Sequence, residues 1–267
     1  VMTSSEDTTS SLPADLLMAE AQLQNAVIAA LASGAARRWS ANLRFENLRV
    51  LPVALRLARA LLAKDCPVLV VWPDAGAAAL ARRDADDLSA VTMDFNQLKR
   101  KESSTPDTRV LLAIGPQPSD YDDFEAVCDG HAGPVVMLNG RLEDAAVGIG
   151  SVARERRRGF VATWLQAYWL QPLEGGALLR SYPENWQLFR LDPDGYRPLS
   201  SFETRPDPET ISAVLAGEDP DAQAASSFNL ASRSSSNISG YSSRRVFTIL
   251  IPTFAWMSSS RLVYATC

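Results

Sequence analysis

Apolar residues recur at helical spacing from Leu16 through Leu17, Ala19, Leu23, Ala26, Val27 and Ala30 to Leu31. With Pro13-Ala14-Asp15 ahead of them and Gly34 behind, they predict an amphipathic helix. A short strand is expected near residues 41–45. A second helix is expected over 52–64, with Leu55, Leu57, Ala58, Leu61 and Leu62 inward and Arg56 and Arg59 outward. Pro52 suits its first turn, where the missing N–H would have had no partner. Three runs then depart from the helical period: Val68-Leu69-Val70-Val71-Trp72, Val110-Leu111-Leu112-Ala113-Ile114 and Pro134-Val135-Val136-Met137-Leu138. Each is continuously apolar and stops at turn formers (Pro73-Asp74-Ala75-Gly76, Gly115-Pro116 and Asn139-Gly140), so each reads as a strand buried on both faces. Helices expected over 76–83 and 121–128 alternate with them, which predicts βαβ units and a parallel sheet with right-handed crossovers.

A long helix over about 151–167 is followed by a change of rhythm. Short strands at 177–182, 186–191 and 196–202 are separated by Pro183-Glu184-Asn185 and Asp192-Pro193-Asp194-Gly195, which are turn sequences. The expected fold is therefore α/β: a parallel, Rossmann-like three-layer sheet extended at its edge by a C-terminal antiparallel β-meander. Residues 13–218 form a single domain in this reading, after a Ser/Thr-rich disordered segment over 1–12. That segment has no basic start and no apolar core to make a signal peptide, and Glu6 and Asp7 do not suit a transit peptide. The chain opens on Val1, so the lack of a targeting signal carries no argument. Residues 219–267 read as a low-complexity tail, disordered or an artefact of the gene model. It holds Ser232-Arg233-Ser234-Ser235-Ser236 and an apolar run from Val246 to Met257, broken by Pro252 and shorter than the ~20 residues of a membrane-spanning helix.

Composition narrows the chemistry. The 267 residues are 46% hydrophobic and 21% charged, as in ordinary globular proteins, and the net charge of −5 argues against nucleic acid as a partner. Cys66, Cys128 and Cys267 lie far apart and there is one histidine, so the paired ligands of a closed zinc site are missing and a reducing compartment is expected. His131 sits in Asp129-Gly130-His131-Ala132-Gly133, a turn-forming stretch, and is read as a surface loop residue. No catalytic residue, metal or cofactor is assigned.

Three constellations remain. Ligands of open parallel sheets bind beyond the carboxyl ends of the strands, which selects Asp74 with Gly76, then Gln117, then Asn139. Asp74 also suits a helix N-cap. Gly148-Ile149-Gly150-Ser151 leads into a helix bearing Arg154, Arg157 and Arg158 on one face, a place for a phosphate-type ligand or for a partner protein. It is not a dinucleotide fingerprint, because no strand immediately precedes it, and no GxxxxGK[ST] loop occurs. Phe160, Trp164 and Tyr168 at i, i+4 and i+8 are read as one helix face, packed on the meander aromatics Tyr182, Trp186 and Phe189.

These segments carry a resemblance. Pro73-Asp74-Ala75-Gly76-Ala77-Ala78-Ala79-Leu80-Ala81-Arg82-Arg83-Asp84, Gly115-Pro116-Gln117, Val135-Val136-Met137-Leu138-Asn139, Gly148-Ile149-Gly150, the stretch from Arg154 to Phe160, Tyr168-Trp169-Leu170-Gln171-Pro172-Leu173 and Gly176-Ala177-Leu178-Leu179-Arg180-Ser181-Tyr182-Pro183 occur in family order. The chain resembles the plastid and cyanobacterial domain of unknown function nineteen-ninety-five, whose plant members include proteins of the Low Photosystem II Accumulation type. The resemblance implies a soluble helper of the chloroplast stroma, in thylakoid contact, that assists photosystem II core or assembly proteins without catalysis. It supplies no catalytic residues. The alternative is a module or enzyme for a phosphorylated small molecule or nucleotide, using the strand-end rim and the start of the arginine-bearing helix.

Overall fold

The computed structural model describes residues 11–100, 106–142 and 151–217. Its elements in chain order are α1 (Leu16–Ser33), β1 (Arg38–Leu43), α2 (Val50–Leu62), β2 (Val68–Trp72), α3 (Ala75–Asp84), β3 (Thr92–Asp94), α4 (Phe95–Arg100), β4 (Val110–Ile114), α5 (Tyr121–Gly130), β5 (Val135–Leu138), α6 (Ser151–Ala162), β6 (Leu165–Leu173), β7 (Gly176–Ser181), β8 (Trp186–Asp192), β9 (Gly195–Phe202) and α7 (Pro208–Ala216). They build one nine-stranded sheet of order β3-β2-β4-β5-β1-β6-β7-β8-β9. The first six positions are parallel, and β6 to β9 form the antiparallel meander. The predicted α/β class, parallel core and edge meander are all present.

Right-handed crossovers decide where the helices lie. The chain travels outward from β1 to β2 to β3 and then back through β4, β5 and β6. A right-handed connection places its helix on one face for outward travel and on the other for the return. Accordingly α1, α2 and α3 contribute Leu23, Val27, Leu57, Leu61 and Ala78 to the core on one face, with Val70, Leu112, Val136 and Ala41. On the other face Phe95, Phe124 and Phe160 from α4, α5 and α6 pack on Val71, Ala113, Val135 and Met137. Between the first two helices, Arg56 clasps the buried carboxylate of Glu20 through Nε at 2.5 Å and Nη2 at 2.7 Å.

Several expectations needed correction. The first strand starts at Arg38 rather than near residue 41, because it pairs from Arg38 with Val135 and from Trp39 with Leu165. The helix expected to reach residue 167 ends at Ala162, where Thr163 donates to the Phe160 carbonyl from its main-chain N (3.1 Å) and from Oγ1 (2.7 Å). The chain then enters β6, so Phe160, Trp164 and Tyr168 do not share a helix face. Phe160 stays on α6, Trp164 sits in the turn, and Tyr168 faces the opposite side of the sheet. His131 is buried at 6% exposure, its ring Nε2 lying 2.7 Å from the Arg109 carbonyl and joining the end of α5 to the start of β4. Residues 219–267 and all but the end of the first segment lie outside the described residues.

Beside that junction the Arg109 guanidinium pairs with Asp107 at 2.5 Å and holds its carboxyl down to about 2, from an ordinary 3.8. A folded value below the unfolded one contributes stability that is complete above about pH 4 and is lost as pH falls through about 2. Asp107→Asn is expected to cost about 2 kcal/mol at most at pH 7, and to flatten the acid limb of stability between about pH 4 and 2. Urea denaturation across that range measures both; an unchanged acid limb would show that the pair contributes nothing.

A candidate ligand crevice above the central strand

The strand β1 is the middle strand of the sheet, and its side chains alternate in character: Arg38-Trp39-Ser40-Ala41-Asn42-Leu43-Arg44. Side chains alternate across a strand, so Trp39, Ala41 and Leu43 enter the core beneath α1 and α2. The polar set faces the other side, where neither apolar cluster includes a residue of β1. A cavity of about 210 Å³ lies there, lined by Ser40, Asn42, Arg44, Met137, Gly140, Leu142, Val161, Trp164, Gln166, Trp186 and Arg205.

The topology accounts for its position. The helix after β1 covers one face and the helix after the neighbouring β5 covers the other, so the connections part between these two strands and leave a crevice. The backbones are held together across it. Leu43 N donates to Asn139 Oδ1 at 2.7 Å, Asn139 N to the Ala41 carbonyl at 2.9 Å, and Arg44 Nη2 to the Gly140 carbonyl at 3.1 Å. A Cβ at Gly140 would overlap the Met137 side chain, so glycine is what lets this wall close up.

Within the crevice the polar groups divide into two kinds. Ser40 Oγ donates to Gln166 Oε1 at 3.0 Å, and Gln166 Nε2 donates to the carbonyls of Ser40 (3.0 Å) and Tyr168 (2.6 Å), so this pair is structural. Asn42 is only 2% exposed, and its Oδ1 finds no hydrogen-bond partner among the described residues; neither does Nε1 of Trp164. At the other end two guanidiniums meet one indole. Arg44 lies 4.8 Å and Arg205 3.9 Å from the Trp169 ring centroid, with Trp186 6.1 Å from Trp169. Arg180 faces Trp169 across the β6–β7 ladder, and burial lowers its guanidinium pKa. Cys128 is buried away from this site, and burial pushes its thiol pKa up, keeping it protonated.

The residues selected from sequence are placed as follows. Asp74 Oδ1 caps α3 by accepting from Ala77 N at 2.8 Å, and Gly76 lies in the first turn close beside that carboxylate. Gln117 Nε2 donates to the Gly115 carbonyl at 2.7 Å while its main-chain N donates to Asp120 Oδ2 at 2.8 Å. The β4 and β5 tips are tied by Arg141 N to the Pro116 carbonyl at 3.0 Å, and Asn139 reaches the border of the crevice. Gly148 and Gly150 lie outside the described residues, as do the side chains of Ser151 and Arg154 on α6. Arg157 lies over the Tyr121 ring at 4.6 Å and Arg158 is exposed. Sequence reasoning missed Ser40, Asn42, Arg44, Gln166 and Arg205. The signal for the first three was the polar period of two in what proved to be a central strand.

A buried amide oxygen without a partner costs ~1–3 kcal/mol. Asn42→Leu keeps the shape and removes the polarity, so it is expected to raise stability by about 1–3 kcal/mol. Denaturant midpoints of the two proteins test this; a less stable Asn42→Leu protein would mean the amide serves the fold and not a ligand.

The comparison with curated proteins gives no match. A family model, Domain of unknown function (DUF1995), matches residues 13–213, which include every strand and helix described except the last residues of α7. The chain belongs to the DUF1995 family.

Proposed function

We propose that this protein is a non-catalytic recognition factor of photosystem II assembly, working in the chloroplast stroma against the thylakoid, and that the crevice above β1 is where it holds what it recognises. The setting and the partners, photosystem II core or assembly proteins, follow from the resemblance of the segments quoted above. One observation supports binding without transformation. Among the described residues, the charged groups lining the crevice are Arg44 and Arg205, and guanidiniums hold and orient a partner rather than shuttle protons. A second reading, a module for a phosphorylated small molecule, has the cationic lining in its favour.

Tagged protein incubated with solubilised thylakoids is expected to enrich a photosystem II core subunit over a tag-only control, and Asn42→Leu and Arg205→Gln are expected to reduce that enrichment severalfold. No enriched core subunit, or enrichment equal in all three proteins, would remove this reading.

A further inference from the structure

We infer that the crevice takes a small uncharged group that both donates and accepts a hydrogen bond, a hydroxyl or a primary carboxamide carried on a compact apolar body. This rests on the reading of the crevice as the recognition site and adds the chemistry of its occupant. Two atoms carry it. Asn42 is 2% exposed, and its Oδ1 is an acceptor without a donor. Nε1 of Trp164, in the turn between α6 and β6, is a buried donor without an acceptor. Both residues line the same cavity of about 210 Å³.

The polar neighbours are committed to other partners. Ser40 Oγ donates to Gln166 Oε1, and Gln166 Nε2 donates to the carbonyls of Ser40 and Tyr168. Arg44 and Arg205 lie over the Trp169 ring, Arg44 donates to the Gly140 carbonyl, and neither is part of the pairing. Buried polar groups are almost always paired, so an open acceptor and an open donor on residues lining one cavity mark the place of a partner from outside the chain. The two atoms define its chemistry. A carboxylate has no hydrogen to give Asn42 Oδ1, and an ammonium has no lone pair to offer Trp164 Nε1. A hydroxyl and a primary carboxamide each supply both.

The rest of the lining sets body and size. Met137 and Leu142 are buried, and with Val161 they present hydrocarbon to the cavity. One water takes up ~30 Å³, so water that bridged the two polar atoms would leave further waters against that hydrocarbon. Water held so poorly is displaced with a gain in affinity by an apolar group. A cavity of ~150 Å³ already accommodates benzene, so a ring with one polar substituent fits in about 210 Å³, whereas a nucleotide overfills it.

The test uses the full chain, with calorimetric titration and thermal unfolding as readouts, against benzamide, benzyl alcohol, acetophenone and benzoate. Acetophenone keeps the shape and carbonyl of benzamide but has no hydrogen for Asn42, and benzoate replaces the amide by a charge. Benzamide or benzyl alcohol is expected to bind saturably, to raise the unfolding temperature, and to bind about tenfold tighter than acetophenone and benzoate. The tighter of the two names the group, carboxamide or hydroxyl. Asn42→Leu should erase the preference over acetophenone. Trp164→Phe keeps a ring against Phe124 and should weaken benzamide and acetophenone alike. Acetophenone or benzoate binding as tightly as the uncharged donors, or a preference that survives Asn42→Leu, would overturn the pairing while leaving the crevice as a recognition site. No saturable response to benzamide or benzyl alcohol at about 10 mM, the result for a crevice that holds only water, overturns the inference. Thylakoid capture then reads the recognition site separately: if Asn42→Leu reduces it, that site stands, and if capture is unaffected, the site falls as well.

Discussion

A strand in the middle of a parallel sheet has no face to give to water, and the usual solution is to make it apolar on both sides. The strands β2, β4 and β5 follow that rule; β1, between β5 and β6, does not. Its outer alternation buries Ser40 and Asn42 at 5% and 2% exposure on a face where hydrocarbon from helices would leave their polar groups without partners. The structure meets this constraint by withholding hydrocarbon there. The cluster built on α4, α5 and α6 ends at β5, and the cluster around Trp169, Leu178 and Trp186 begins at β6, so the space over β1 belongs to neither. Gln166 reaches across to satisfy Ser40, and Asn42 is left facing the gap between the two clusters.

The same break in the helix layer follows from the order of the strands. Because the chain travels outward before it returns, neighbouring strands send their helices to opposite faces beside the edge strand β3 and at two places further in, between β2 and β4 and between β5 and β1. At the first, Asp74 and Gln117 turn inward to cap the turns and helices that follow. At the second, the side chain of Asn139 supplies an acceptor for Leu43 N where the β5 main chain has already turned away, with Asn139 itself at φ 53°. Asparagine tolerates this left-handed backbone better than most residues, which fits it for the role of a strut. The strand tip is thus braced by its backbone, leaving the side-chain space beside it open.

This division explains what was legible in the sequence. The strands β2, β4 and β5 could be read because fully buried strands are continuous apolar runs, and their carboxyl ends were marked by turn residues. The strand β6 could not be read, because Phe160, Trp164 and Tyr168 satisfy helical spacing as well as they satisfy a turn followed by a strand. The choice was made by pairing with β1, an interaction more than a hundred residues distant in the chain. The crevice was harder still, since its lining is drawn from β1, β5, α6, β6, β8 and the segment holding Arg205, which no local pattern links. Only the alternation around Asn42 was local, and its meaning depended on knowing that β1 is central. The strand-end rule pointed to Asn139, beside the crevice, and to Asp74 and Gln117, whose hydrogen bonds are structural.

The arginine–tryptophan arrangement gives the crevice a stiffness that its small size makes necessary. A lysine at either position would carry its charge on a strongly hydrated, freely turning ammonium, and ordering it around a ligand would cost much of the gain. A guanidinium held over an indole ring is restrained in advance, as Arg44 and Arg205 are over Trp169, and Arg44 is fixed further by the Gly140 carbonyl. Trp169 is in turn held from its edge by donation of Nε1 to Gln171 Oε1 at 3.1 Å and packed among Leu178 and Trp186. Orientation is therefore built into the meander, while the amide that completes the polar surface is built into the parallel sheet. The antiparallel extension is then more than an ornament on the sheet edge, because it brings the ring over which both cations lie to the crevice above the central strand.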